Sequence, residues 1–355
     1  MSSSFRVLLV DQELITWTGA KIVLRDFALN LAKRGHRPVV WSPRTGAAAD
    51  AFRELGIRVI DELSELETPP DIIHAHHNLT TALALATFPG VPAVMFCHSV
   101  FWQDIPISSP RIWRHIAVDR TRRDFLVKEN RVPADRVVVI PNAVDLARFP
   151  PREEQIPVQA SRCLAFCKTG VQLDMMRRAC AMRGLDYDQI GHGAGHIVLE
   201  PEHHFRREHL VIATGRGALE AAIAGAAVVI ADAYGMCGML TSRNVRARRK
   251  VNFGVRCQVH PLTMDNFLRE IDKYDHEDAA RVSMLLRQEA DLEDALDQVE
   301  QIYADALAAG LPDVWTDDDR AGLEAFEQTW LLDAEAQASF APEREQLRSL
   351  IASHR

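Results

Sequence analysis

The sequence lacks the features that mark secreted, membrane-spanning and general nucleic-acid-binding proteins. No stretch reaches about 18 consecutive apolar residues, and the N-terminus has too little positive charge and too short an apolar run for a signal peptide. The six cysteines are scattered without CxxC spacing, which is typical of a reducing compartment. A net charge of -8 argues against general nucleic-acid binding. We therefore expect a cytoplasmic protein whose contact with a membrane, if it has any, is peripheral and at the inner face.

Length and the alternation of strand and helix patterns indicate two α/β domains. The 355 residues are too many for one ordinary hydrophobic core. Across the first half, short apolar runs such as residues 5–10 alternate with amphipathic segments, as in a doubly wound parallel sheet that binds ligands at the carboxyl ends of its strands. A proline-bearing polar segment then precedes a second alternating series. We predict one domain over residues 1–155, a second over 160–320 and a terminal helical segment over 321–355.

The second series contains a candidate anion site. An apolar strand pattern breaks at Gly215, Arg216 and Gly217, and an alanine-rich helical segment follows. Such a turn places unpaired helix amides beside two glycines and a fixed cation, which suits an anionic ligand. Glu220 lies one turn into this apolar helix, so we expect it near the ligand. In the alternative reading, this is a buried edge of a βαβ unit and Glu220 only favours the N-terminus of the helix.

Unusual residues follow the predicted strands of the first domain. Gly19 opens a helix without the glycines of GxGxxG, so a dinucleotide site is poorly supported and a plain turn is the alternative. His74, His76 and His77 could suggest a metal cluster, but His77 points away from the other two in a strand and no carboxylate or cysteine pattern completes a site, so we expect no metal. His98 precedes an aromatic loop, where a titratable group suits substrate better than packing. A satisfied histidine at a strand end is the alternative.

Several other residues are candidates for ligand contact. Trp17 and Trp102 offer stacking surfaces for a ligand, although core packing is the commoner fate of such rings, and His76 is a further candidate. The basic clusters over residues 120–123 and 243–250 are interpreted as solvated faces, with a phosphate or anionic-lipid contact as the alternative. A glycine loop that contains Gly191 and Gly193 follows a predicted strand in the second domain.

The order of five segments resembles the GT-B glycosyltransferases of family four, which transfer sugars from nucleotide donors. The segments are DIIHAHHNLTTALALA, VPAVMFCHS, IAVDRTRRDFL, VVVIPNAVDLARF and GRGALEAAIAGAAVVIAD, and the fourth is the most specific. The resemblance covers nearly the whole chain. It implies an α/β GT-B fold of two facing Rossmann-like domains, the N-terminal one for the acceptor and the C-terminal one for the donor. It also implies that a terminal helix bearing Leu323, Phe326 and Trp330 packs back on the first domain.

The resemblance further implies roles for individual residues. Gly19 corresponds to the glycine loop near the donor phosphate, and His98 to a histidine near the transferred sugar. Glu220 corresponds to the glutamate that holds the donor ribose. Lys168 lies near the family's basic pair on the diphosphate, and Arg216 could share that work. The implied catalytic residues are therefore His98, Lys168 and Glu220, and the donor-binding residues are Gly19, Gly191, Gly193, Gly215, Arg216 and Gly217. Trp17, His76 and Trp102 are assigned to the acceptor, a sugar or a lipid.

The chain also departs from the family pattern. Ile212 stands in place of the first glutamate of the motif, Thr18 and Lys21 replace a glycine and an acid around Gly19, and Ala143 replaces a glycine. The identity of the sugar is therefore not implied.

The expected reaction is a metal-independent, retaining transfer from a nucleoside-diphosphate sugar to a saccharide or lipid-linked acceptor, in cell-envelope polysaccharide or glycolipid synthesis, with no cofactor. The alternatives are an inactive GT-B binding subunit, which Ile212 favours, and a GT-B sugar-nucleotide epimerase, which would need acid and base carboxylates. The sequence does not determine the oligomeric state.

Overall fold

The chain forms two compact units. The computed structural model describes residues 4–154, 156–198, 200–311, 314–329 and 339–354. The first unit comprises Met1–Ile140 and Leu296–Arg355, and the second comprises Pro141–Ala295. The segment after Pro141 belongs with the second unit because Val144 is fully buried there and exchanges backbone hydrogen bonds with Ala290 (2.9 Å) and Leu292 (3.1 Å). The division thus falls before the proline-rich segment, whereas the sequence pattern placed it within that segment.

The first unit is built on a seven-stranded sheet in which every neighbouring pair is parallel. Its strand order is β3-β2-β1-β4-β5-β6-β7. The chain therefore extends the sheet in one direction from β1 and then in the other from β4, so that β1 and β4 flank a topological switch point. The strands are β1 (Arg6–Val10), β2 (Arg37–Trp41), β3 (Arg58–Ile60), β4 (Ile72–His76), β5 (Ala93–Cys97), β6 (Ile112–Ala117) and β7 (Val137–Val139).

Helices connect these strands in the predicted alternating pattern. The first begins at a Thr18 cap, whose hydroxyl accepts the Lys21 N–H at 3.4 Å, and it stops before Gly35, which has a φ of 88°. The helices of this part are α1 (Gly19–Lys33), α2 (Ala47–Glu54), α3 (Asn78–Thr87) and α4 (Arg120–Asp124). The doubly wound arrangement that the sequence predicted is therefore confirmed for this unit.

The second unit contains a five-stranded sheet of order β12-β11-β10-β8-β9, in which only the β11–β12 pair is antiparallel. Its switch point lies between β8 and β10. Alternate residues of β10 enter different cores, since Val211 packs in one cluster and Ile212 in the other. The strands are β8 (Arg162–Phe166), β9 (Asp186–Ile190), β10 (Leu210–Ala213), β11 (Ala227–Asp232) and β12 (Gly235–Met239). The helices are α5 (Leu173–Met182), α6 (Pro201–Phe205), α7 (Gly215–Ile223), α8 (Val245–Arg249), α9 (Met264–Ile271) and α10 (His276–Glu289).

The C-terminal helices complete the core of the first unit. Helix α11 (Leu292–Ala308) starts in the second unit and continues into the first, where α12 (Asp317–Thr329) and α13 (Ala341–Ser353) follow. Leu323 and Phe326 of α12 lie in the same buried cluster as Leu83 of α3. Trp330, assigned to the same stripe from the sequence, lies outside the described residues. Within the described part of the chain, no helix combines the length and the apolar character needed to cross a membrane.

Candidate functional site

The carboxyl ends of β8 and β10 form a candidate anion site in the second unit. Lys168 follows β8 and is exposed, and Gly215 follows β10 at the first position of α7. Gly215 has a φ of 59°, and its N–H donates to the Phe253 carbonyl at 3.2 Å. A Cβ atom placed on Gly215 would lie 3.7 Å from the Lys168 ammonium. The lysine charge therefore lies beside the positive end of a helix at the switch point of the sheet, which is the chemistry of a phosphate site.

The glycine loop after β9 borders this site by packing against the loop after β8. The Gly193 N–H donates to the Cys167 carbonyl at 3.0 Å. A Cβ atom on Gly193 would lie 2.2 Å from the Thr169 carbonyl carbon, and one on Gly191 would lie 2.8 Å from the Cys167 oxygen. Both glycines are thus explained by the close approach of two backbone segments. The structure brings them next to Lys168 but gives them a packing role of their own.

Gly217 and Gly19 lie in very different surroundings. A Cβ atom on Gly217 would lie 2.4 Å from the Phe166 ring, so this glycine allows α7 to pack against the end of β8. Gly19 is exposed at the start of α1, and a Cβ atom there would meet no atom within 4 Å. Of these two glycines, only Gly19 has the open space that a ligand approaching the backbone would need.

Arg216 and Glu220 form a buried ion pair within α7. The Arg216 Nε donates to Glu220 Oε1 at 2.7 Å, and the side chains are 8% and 3% exposed. The sequence predicts a phosphate contact for the arginine and a ribose contact for the glutamate. In the structure the guanidinium contacts the glutamate carboxylate, and both side chains are buried.

In the first unit, a buried carboxylate and an imidazole lie at the switch point between β1 and β4. Asp11 is fully buried, and its Oδ1 accepts the Glu13 N–H at 3.1 Å. Its Oδ2 has no hydrogen-bond partner among the described residues and lies 3.8 Å from Nε2 of His77. Burial raises the pKa of Asp11, although His77 and Lys21 oppose this shift. His77 has a φ of 67°, an uncommon conformation outside glycine.

Two residues that sequence reasoning did not assign to the site hold His98 in place. Asp104 is fully buried and accepts the N–H groups of His98 (3.3 Å) and Ser99 (2.8 Å). The Arg122 Nε donates to the His98 carbonyl at 3.0 Å, and Arg122 also pairs with Asp119 at 2.9 Å. The basic cluster over residues 120–123 suggested a solvated face, but Arg122 is instead bound to protein groups. An acidic residue inside an aromatic loop was the one sequence signal for Asp104.

His76, predicted as an acceptor-binding residue, is fully buried inside a line of hydrogen-bonded rings. Its Nδ1 lies 3.1 Å from His98 Nε2, and its Nε2 lies 3.0 Å from His74 Nε2. His74 Nδ1 in turn contacts the Tyr303 hydroxyl. Burial lowers the pKa of His74 to about 3 and that of His76 well below its ordinary value. The ring of His76 is therefore enclosed by protein, which does not favour the predicted contact with an acceptor. No grouping of three or more metal-ligating side chains suited to a metal ion occurs in the described ranges.

The two predicted tryptophans are partly packed. Trp17 stacks on Phe52 with ring centroids 5.4 Å apart, and Trp102 packs on Phe340 at 5.8 Å. Both remain half-buried, whereas Phe101, next to Trp102, is 63% exposed. In the loop after His98 the most accessible aromatic surface therefore belongs to Phe101.

Comparison with known proteins agrees with this architecture. The family described as Glycosyltransferase Family 4 matches residues 17–148. A glycosyltransferase from Rickettsia africae ESF-5 is 14% identical with a TM-score of 0.61, covering 86% of this chain and 99% of that one. Anabaena Alr3699/HepE, crystallised with UDP, is 14% identical with a TM-score of 0.61, covering 84% and 100%. AviGT4, a glycosyltransferase involved in avilamycin A biosynthesis, is 14% identical with a TM-score of 0.54, covering 86% and 98%.

No curated protein sequence matches the chain. The solved structures are similar to this chain over most of its length, whereas the match to a family is confined to residues 17–148, nearly all of which belong to the first unit. The chain has the GT-B fold of glycosyltransferases, and its residues 17–148 are similar to glycosyltransferase family four.

Proposed function

We propose that the protein is a glycosyltransferase that moves a sugar from a nucleoside-diphosphate sugar to a saccharide or lipid-linked acceptor. The observation that carries this proposal is the Lys168 ammonium beside the Gly215 turn, at the switch point of the second unit. The structural neighbour HepE has been crystallised with UDP and with UDP-glucose, which supports a nucleotide-sugar donor. Retention of anomeric configuration, independence of metal ions and a role in cell-envelope polysaccharide or glycolipid synthesis are proposed from the resemblance to family four.

On the donor side, the reaction requires stabilisation of the departing diphosphate. Negative charge builds up on the leaving phosphate oxygens as the anomeric bond breaks. Lys168 and the N-terminal amides of α7 supply fixed positive charge at that place, and preorganised charge of this kind lowers the barrier to departure. Arg216 contributes less directly, because its guanidinium is held by Glu220.

On the acceptor side, the first unit offers hydrogen-bonding groups suited to sugar hydroxyls. His77, which is 15% exposed and lies 3.8 Å from the fully buried Asp11 carboxylate, can hydrogen-bond to a hydroxyl. His98, held by Asp104 and Arg122, would orient the transferred sugar or the acceptor. The exposed ring of Phe101 provides an apolar surface next to these polar groups.

An inactive GT-B binding subunit is the second candidate, and Ile212 favours it. Ile212 is fully buried in the middle of β10, where the family motif would place an acid. The chain therefore cannot use this position to contact a donor. A sugar-nucleotide epimerase would differ from both candidates by converting a free sugar nucleotide without an acceptor.

A thermal-shift titration tests the proposal. The protein would be heated with UDP, GDP, ADP and their sugar conjugates, with and without EDTA. A nucleotide present at 100 times its Kd should stabilise the native state by about 2.7 kcal/mol. We expect one nucleotide to raise Tm equally in both buffers, whereas no shift with any nucleotide would favour the binding subunit.

The matched variants are Lys168→Met and Lys273→Met, which remove one ammonium each from the second unit. The Lys273 ammonium contacts Glu270 on α9 and does not lie at the switch point. Lys168→Met should weaken nucleotide binding about 10- to 150-fold, since a hydrogen bond to a charged group contributes about 1.5–3 kcal/mol. Equal affinities in the two variants would remove Lys168 from the donor site.

A further inference from the structure

The hydrogen bonds that link a line of rings in the first unit must all run in the same direction from donor to acceptor. The line joins Tyr303, His74, His76 and His98 through three contacts, two of which measure 3.0 and 3.1 Å between histidine nitrogens. Tyr303, His74 and His76 are fully buried. Each contact requires one donor and one acceptor, and a neutral imidazole has one of each. Fixing the hydrogen in one contact therefore fixes all of the others.

Only two neutral arrangements satisfy all three contacts. In the first, the Tyr303 hydroxyl donates to His74 Nδ1, His74 Nε2–H donates to His76, and His76 Nδ1–H donates to His98 Nε2. His98 then carries its hydrogen on Nδ1. In the second, every hydrogen points the other way, His98 carries its hydrogen on Nε2, and the Tyr303 oxygen accepts from His74. The two arrangements differ in which nitrogen of His98 is protonated.

The buried phenol selects the first arrangement. In the second arrangement the Tyr303 hydroxyl hydrogen would need another acceptor. Within the described ranges this hydroxyl forms a hydrogen bond only with His74. A buried hydroxyl without an acceptor is costly enough to disfavour that arrangement roughly 5- to 150-fold. Burial raises the pKa of Tyr303 well above its ordinary value, with Glu300 adding to the shift, so the phenol keeps its hydrogen. The Glu300 carboxylate itself contacts Arg34 at 3.0 Å.

We propose that Tyr303 is a positioning residue that holds His98 in its neutral form with the hydrogen on Nδ1. This inference rests on the proposed function. His98 then serves the transfer as a hydrogen-bond donor to a sugar or acceptor oxygen, and it does not act as a general base. The other nitrogen of His98 is occupied by the His76 N–H. Two buried rings thus carry the influence of Tyr303 from the core to the half-buried His98.

Nitrogen NMR on the full chain tests the tautomers without reference to activity. Long-range proton–nitrogen spectra of protein with ¹⁵N-labelled histidine identify the protonated nitrogen of each ring, and His98→Gln assigns the His98 signals. We expect wild-type His98 and His76 to carry hydrogen on Nδ1, and His74 on Nε2. A hydrogen on Nε2 of wild-type His98 would overturn the inference, whatever the protein catalyses.

Tyr303→Phe removes one oxygen and should abolish the preference of His98 for the Nδ1–H tautomer, so that NMR signals from both His98 tautomers appear. Tyr274→Phe is the matched control, because the Tyr274 hydroxyl donates to the Pro157 carbonyl at 2.8 Å in the other unit. With the donor identified by titration, Tyr303→Phe should lower kcat about tenfold and leave the donor KM within twofold. A purely structural tyrosine would change stability without changing the tautomers. Retention of a single Nδ1–H tautomer in Tyr303→Phe would refute the role of the phenol.

The kinetic and spectroscopic results separate failure of the inference from failure of the proposed function. Mixed tautomers in Tyr303→Phe with unchanged kcat would refute the donor role of His98 and leave the transferase proposal intact. If neither wild type nor variants bind any nucleotide sugar, the proposed function fails, and the catalytic part of the inference fails with it.

Discussion

Replacing Glu220 with alanine should destabilise the second unit strongly. The Arg216–Glu220 pair spans 2.7 Å between Nε and Oε1, and its side chains are 8% and 3% exposed. Alanine would leave the guanidinium in the same enclosed place without this carboxylate. Removing one partner of a buried ion pair costs about 3–5 kcal/mol, because the desolvation of the remaining charge is no longer offset. The expected loss is therefore a large fraction of the stability of a typical domain.

This loss translates into a clear shift of the melting temperature. For a domain of about 150–250 residues, 1 kcal/mol corresponds to about 2–4 °C in Tm. Glu220→Ala should therefore lower the transition of the second unit by about 6–20 °C. Glu220→Gln keeps an oxygen that accepts from Arg216 and should cost only about 1 kcal/mol, the net contribution of an ordinary hydrogen bond.

The positions of the tryptophans make the assay specific for one unit. The sequence of the second unit, Pro141–Ala295, contains no tryptophan. Tryptophan fluorescence therefore reports unfolding of the first unit, whereas far-UV circular dichroism reports both. We expect the alanine variant to show an early dichroism transition with a smaller change in fluorescence. A dichroism transition within about 2 °C of wild type would refute the energetic argument for the pair. Because alanine changes stability, the contribution of Glu220 to turnover is better measured with glutamine.

Three further perturbations test other parts of the structure. Gly19→Ala should leave the free energy of unfolding within about 1 kcal/mol of wild type, since a Cβ atom there meets nothing within 4 Å. The variant should raise the donor KM if a phosphate approaches this backbone. Unchanged nucleotide affinity would exclude Gly19 from the donor site. Gly322→Ala would place a Cβ atom 1.6 Å from the Ser108 oxygen, so tryptophan fluorescence should show a loss of at least about 1–3 kcal/mol; a wild-type transition would contradict this packing. Burial raises the pKa of Asp319, but hydrogen bonds from Arg111 and Thr316 outweigh this effect, so the pKa in the folded protein is lowered. The ionised carboxylate therefore stabilises the fold at pH values above its unfolded pKa of about 3.9. This stabilisation is lost as the pH falls through the folded pKa. Asp319→Asn should therefore be less stable than wild type at neutral pH, and urea unfolding should show the gap narrowing below about pH 4; a gap that does not change with pH would argue against this charge pair.

Much of the fold follows from hydrophobic periodicity, and the exceptions have physical causes. The strand, turn and helix that run through β10 and α7 were predictable because an apolar run, two glycines and an alanine-rich segment leave few alternatives. Strand β12 was not predicted, since its sequence GMCGM has no alternation. Gly235 and Gly238 adopt φ values of 148° and 91°, and the Glu270 carboxylate accepts the Met239 N–H at 2.8 Å. This strand forms because of tertiary contacts that local sequence does not encode.

The glycines show why the site was less predictable than the fold. In a sequence, a glycine that admits a ligand looks the same as one that admits a neighbouring chain. Gly193 and Gly217 are explained by contact with Thr169 and Phe166, whereas Gly19 faces open space. That the loops at the strand ends of the second unit bind a nucleotide remains a prediction. The structure adds that Gly191, Gly193 and Gly217 are required by packing whether or not a ligand binds.

Tyr303 shows how a residue with an ordinary sequence pattern can acquire chemistry through the fold. Its position in an amphipathic helical stripe predicts burial, and Tyr303 is indeed fully buried. A buried phenol needs a hydrogen-bond partner, yet periodicity does not indicate which one, because its partner His74 lies 229 residues earlier in the chain. Helix α11 brings the two together by continuing from the second unit into the first. The requirement that every buried donor find an acceptor then extends from Tyr303 through His74 and His76 to His98, so a packing residue determines which nitrogen of a half-buried histidine can donate.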